Sequence, residues 1–136
     1  MNHEETNVTA NPKYKDTMFR MLFKDKKELL SLYNAVNGSH HENAEDLQIV
    51  TLENAIYMNM KNDLAFLIDF HLYLYEHQST YNPNIPLRNL FYVSREYQKL
   101  TNEQTLFSSA LVQIPAPRFI VFYNGVRQLP ETIIKY

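Results

Sequence analysis

The chain has 136 residues and a formal net charge of −2, which excludes a polycation that grips nucleic acid by bulk charge alone. Apolar content of 45% and aromatic content of 13% exclude a disordered chain, and the length suits one domain with a real core. Cysteine is absent, which removes disulfide and thiolate chemistry, and no apolar run reaches the length of a membrane span.

The opening MNHEETNVTANPK has no signal-peptide core, so the expected setting is the cytoplasm, without membrane contact. Residues 1–13 read as a flexible tail, and 14–136 as a single domain. From Asp16 the pattern turns helical, with Phe19, Leu22, Phe23, Leu30 and Tyr33 at three-to-four spacing or its multiples. Asp25 followed by Glu28 resembles a capping box, so a break falls near Lys24 and Asp25, and a second helix runs from Lys26 to Val36. Asn37-Gly38 supplies the stop. Lys13, Lys15, Arg20, Lys24, Lys26 and Lys27 crowd this segment, as a solvated helix face or as a local phosphate-facing patch. Ser39 to Glu45 is a polar loop in which His40 and His41, beside Glu42, read as surface residues rather than a metal site, because adjacent histidines point in different directions. Leu47 to Leu52 reads as a strand, followed by Glu53, and Ala55 to Met60 fits either a strand or a helical turn.

Asn62 to Thr80 organises the rest. Leu64–Ile68 and Leu72–Tyr75 are rich in strand-favouring residues, and Asp69-Phe70 between them leaves room only for a tight reversal. Antiparallel pairing about that reversal makes Asp63 and Glu76 neighbours. Side chains alternate along a strand, so Leu72, Leu74, Glu76 and Gln78 share one face, and Tyr73, Tyr75 and His77 the other. Adjacent carboxylates repel unless a cation lies between them or one is protonated, and hard oxygen ligands suit Mg²⁺ or Mn²⁺. The same spacing also fits two acids at a solvated sheet rim. His71 and His77 read as sheet-edge residues.

Beyond the hairpin, Tyr81-Asn82-Pro83-Asn84 is a turn cluster, and Pro86 opens a helix to Leu100. On it, Leu87, Leu90, Phe91, Tyr97 and Leu100 form an apolar stripe, with Arg88, Tyr92, Arg95 and Lys99 on another face. A short helix from Thr101 to about Val112 ends before Pro115 and Pro117. Phe119 to Tyr123 reads as a buried strand, and Asn124-Gly125 as a hairpin turn returning along Val126 to Leu129. The order of elements predicts an α/β or α+β mixed sheet with helices on its faces.

An acid opening the second strand, with Glu-x-Gln closing the third, resembles the PD-(D/E)XK nuclease superfamily. The text KNDLAFLI, LYLYEHQSTYNPNIPLR and PRFIVFYNG is similar to its recombination-promoting nuclease / putative transposase family. The resemblance implies a restriction-endonuclease-like αβββαβ core with helices on both faces. It further implies a Mg²⁺- or Mn²⁺-dependent DNA endonuclease of the transposase type, with DNA as partner; a homodimer is compatible with it. Asp63 and Glu76 would be metal ligands, and Gln78 falls where most members carry Lys. Glu53 matches an auxiliary acid, and Arg88 and Tyr92 would support the phosphate. Members generally continue with a helical C-terminal region after the YNG strand, so the resemblance implies a nuclease core that lacks this region. The alternative reading is a catalytically inactive remnant that binds nucleic acid or another protein.

Overall fold

A computed structural model describes residues 12–52, 63–101 and 103–125. It is an α+β structure whose four-stranded mixed sheet has the order β1-β2-β3-β4. Helix α1 (Pro12–Phe23) starts four residues ahead of the point where apolar periodicity begins. Proline at the first helical position explains the early start, because its fixed φ suits a helix and its missing N–H has no partner to lose there.

Helix α2 (Lys26–Asn37) is capped at both ends by residues chosen for it. Asp25 Oδ1 accepts the Lys27 N–H at 2.8 Å. Gly38, at φ 65°, takes the left-handed turn and returns its N–H to the Asn34 carbonyl. Leu29, Leu30 and Tyr33 of α2 are buried, with Phe19 and Phe23 of α1 packed against them, whereas Leu22 points outward at 53% exposure.

Strand β1 (Gln48–Ile49) is shorter than the apolar pattern of Leu47 to Leu52 suggests. The chain keeps beside its neighbour, but side chains replace the ladder. Val50 N–H still reaches the Ala65 carbonyl at 2.8 Å. One residue on, the Ala65 N–H donates to the Thr51 hydroxyl at 3.0 Å instead of to a backbone carbonyl. Then the Leu52 N–H donates to the Tyr92 hydroxyl at 2.7 Å.

Strands β2 (Asp63–Ile68) and β3 (His71–Gln78) form the hairpin read from the sequence, in register from Ile68↔His71 to Asp63↔Glu76. Its loop is the two residues Asp69 and Phe70, both left-handed (φ 52° and 55°). Positive φ at both positions is the tight turn whose twist matches that of paired strands. Asp tolerates this conformation; a Phe there stores roughly 1–3 kcal/mol of strain.

Helix α3 (Ile85–Leu100) and the short α4 (Glu103–Leu106) carry the chain to β4 (Ala116–Tyr123), which pairs parallel to β3. A parallel partner requires such a crossover. Helix α4 ends well before Val112, in a turn where Ser108 Oγ donates to the Thr105 carbonyl and accepts the Ala110 N–H. The apolar run of β4 is half-buried rather than buried, because among the described residues β4 is an edge strand. At Gly125 a Cβ would overlap the Ser79 carbonyl oxygen and the Tyr123 ring, so no other residue fits. Of the expected tail over 1–13, Pro12 and Lys13 open α1 instead, and residues 1–11, the 55–60 segment and the return strand over 126–129 lie outside the described residues.

Alternation along β2 and β3 divides the core. Phe66, Tyr73 and Tyr75 pack on α1 and α2, with Phe66 stacked on Tyr73 and edge-on to Tyr75. Ala65 and Leu74 face α3, where they meet Tyr92. Helices therefore cover both faces. Among the described residues no helix is long and apolar enough to cross a membrane.

Candidate active site: a buried carboxylate under helix α3

Glu76 lies near the C-terminal end of β3, flanked by Asp63 of β2 and Val121 of β4. Positions directly opposed in an antiparallel pair belong to the same sheet face, so position 63 is on the face of Glu76. The side chain of Asp63 itself lies outside the description, as does all of Glu53.

Glu76 is not a solvated rim residue: it is 3% exposed, and Gln78 is 7% exposed. Both lie on one sheet face, as the strand pattern predicts, and that face meets α3. Gln78 Nε2 donates to Glu76 Oε1 at 2.7 Å. Arg88, in the first turns of α3, brings Nη2 to 3.4 Å from the same oxygen. A carboxylate withdrawn from water this far is costly unless donors and positive charge surround it. Gln78 supplies a donor and Arg88 a positive charge.

Tyr92 has a different place from the one expected of it. It is 1% exposed, and its hydroxyl accepts the Leu52 N–H. It ties the chain just before Glu53 to α3 rather than facing outward beside Arg95 and Lys99. The helix is turned relative to its apolar stripe. Asn89, Tyr92, Val93 and Glu96 are buried, while Leu87, Leu90 and Phe91 are each about half exposed. The buried positions recur at i, i+3, i+4 and i+7, the spacing of one helix face. That spacing was available as a signal, but its polar residues disguised it.

Of the basic residues near the α1–α2 junction, Lys24 and Lys27 are exposed and Lys26 Nζ bonds Glu45 at 3.2 Å. His77 is not at an edge; its ring stacks on Phe19 of α1 at 5.3 Å. His41 is not a plain loop-surface residue either: its ring reaches the carboxylates of Asp46 and Asp69. Among the described residues no group of three or more His, Cys, Asp or Glu is placed to hold a metal ion. The register places the two acidic positions 63 and 76 directly opposite each other.

Comparison of the chain with protein-family profiles, curated proteins and solved structures finds no match.

Proposed function

We propose that the protein is a metal-dependent DNA endonuclease of the transposase or recombination-promoting type, built on a PD-(D/E)XK-like αβββαβ core. The observation that carries this reading is the register Asp63↔Glu76, set by a two-residue reversal, with Gln78 and Arg88 converging on Glu76. The resemblance of YEHQSTYNPNIPLR to that family supplies the chemistry to look for.

Asp63 and Glu76 would hold a Mg²⁺ or Mn²⁺ ion, which would lower the pKa of a bound water, neutralise the phosphate and support the leaving oxygen. Gln78 holds the Glu76 carboxylate in one orientation through its amide N–H. A glutamine amide neither takes up a proton nor carries charge at neutral pH, so it orients and does not act as a base. Arg88 brings positive charge to the site; its guanidinium suits a phosphate oxygen as well as a carboxylate. Tyr92 acts at one remove, by fixing the segment before Glu53.

The burial of Glu76 favours a second reading on a specific ground. A carboxylate 3% exposed, with Gln78 and Arg88 already beside it, also suits an internal polar staple in a non-catalytic nucleic-acid-binding or protein-binding module. The two readings part on one experiment. Incubation of supercoiled plasmid with the wild-type protein and Mn²⁺ gives nicked or linear DNA if the first is right, and Asp63→Ala and Glu76→Ala each abolish it. Titration calorimetry with Mn²⁺ alone gives binding that Glu76→Ala removes. A wild-type protein that neither binds Mn²⁺ nor cuts leaves the staple reading in its place.

A further inference from the structure

The hairpin loop is strained, and a second polar cluster holds it. Asp69 Oδ2 accepts the Tyr33 hydroxyl at 2.8 Å and lies 2.9 Å from His41 Nε2. The other ring nitrogen, His41 Nδ1, is 3.3 Å from Asp46 Oδ2. Three elements meet here: Tyr33 is on α2, Asp46 closes the 3-10 turn Ala44–Asp46 ahead of β1, and Asp69 is the first residue of the β2–β3 loop. His41 is held in place by Asn34 of α2, which accepts the His41 N–H and donates to the His41 carbonyl. The remaining groups nearby are accounted for. His71 Nδ1 is 2.8 Å from the Asp69 carbonyl, Arg118 Nη2 is 3.5 Å from His71 Nε2, and the Tyr73 ring meets Tyr33 edge-on.

The geometry sets a condition on the proton count of His41. Carboxylates only accept hydrogen bonds, so a ring bonded to two of them must donate from both nitrogens. Only imidazolium has two N–H groups. In a neutral ring one nitrogen would turn its lone pair toward a carboxylate oxygen at about bonding distance, and that contact must open. We propose that Tyr33, His41, Asp46 and Asp69 form a proton-dependent latch, closed on the β2–β3 loop while His41 is charged and opened when it loses its proton.

The electrostatics run the same way. The Asp69 carboxylate, then desolvation opposing it and Asp46 assisting, leaves His41 above the ordinary imidazole range. The Tyr33 and His41 hydrogen bonds hold Asp69 below the ordinary carboxylate range. For a raised histidine, the stability it lends is complete below its unfolded pKa and is lost as pH rises through its folded pKa. For a lowered aspartate, it is present above the unfolded pKa and is lost as pH falls through the folded one. The latch is therefore whole between the ordinary aspartate and histidine values, and it opens on the alkaline side as His41 loses its proton.

The test is NMR on the full-length protein. The His41 ring signals, assigned by their absence in His41→Gln, are followed from pH 5 to 9. Amide-exchange protection at residues 69 to 71 is compared with His41→Gln at equal pH, so that the intrinsic rise in exchange cancels. The latch requires a His41 midpoint above that of a free imidazole, moved down in Asp69→Asn. It also requires loop amides protected severalfold better than in His41→Gln at low pH, with the advantage gone once His41 is neutral. A midpoint at or below the free value overturns the proposal. So does a protection ratio that does not change with pH.

Discussion

Among the described residues, nine buried apolar side chains form the cluster on the α1–α2 side of the sheet, against five on the α3 side, Ala65, Leu72, Leu74, Tyr92 and Val93. The four buried polar residues, Glu76, Gln78, Asn89 and Glu96, lie on the α3 side, along β3 and on α3 itself. Burial of apolar area stabilises, whereas burial of a polar group costs unless its bonds are made. The α1–α2 side therefore holds the fold together. The α3 side holds a carboxylate and an amide beside a guanidinium, whose contacts offset part of the cost of burying them.

The comparison predicts a division of effects. Glu76→Ala should remove all Mn²⁺-dependent plasmid cleavage while leaving the circular dichroism spectrum folded, and cleavage that survives would place the chemistry elsewhere. Phe66→Ala, on the opposite face, should cost about 3–5 kcal/mol in urea unfolding without changing the cleavage per folded molecule. Phe66 is 0% exposed and touches Tyr33, Tyr73 and Tyr75, so the cavity left has little means of closing. Tyr92→Phe should cost about 1–2 kcal/mol, because the Leu52 N–H loses its acceptor. If Tyr92 serves only as apolar filling, the phenylalanine variant will match wild type. The smallest effect has the opposite sign. Phe70→Gly should raise stability by up to about 1 kcal/mol, since glycine takes φ 55° without strain while Phe70 is 65% exposed and gives up little packing. A fall in melting temperature would mean that Phe70 is held by contacts of its own.

Tyrosine ionisation offers a check on the α1–α2 side. Burial pushes the Tyr33 and Tyr75 hydroxyls well above the ordinary phenol range, and the Tyr33 shift is reinforced by Tyr73 and Asp69. On an alkaline titration followed by ultraviolet absorbance, these two should ionise only with unfolding.

What could be read without coordinates was local. The hairpin register follows from two apolar segments and a reversal with room for two residues, and α2 from Asp25 at one end and Gly38 at the other. The parallel partner of β3 was less legible as a neighbour, since only the crossover through α3 brings Ala116–Tyr123 beside it. The β1 ladder is shorter than periodicity predicts, because a threonine hydroxyl takes a bond that periodicity assigns to backbone. His41 showed no pattern at all: its partners are 5 and 28 positions away.

Helix α3 marks the limit. Hydropathy along one chain ranks residues by how much they gain from leaving water, and by that measure Leu87, Leu90 and Phe91 belong inside. They are outside because the neighbouring surface was already chosen: β3 presents Glu76 and Gln78 on that face, and Arg88, Asn89, Tyr92 and Glu96 turn toward the sheet instead. The sequence alone determined where chain segments turn, cap and pair with their nearest neighbours, since those choices depend on a few adjacent residues. Which side of a helix meets the sheet was decided only in the assembled structure, because it depends on what the other element has to bury.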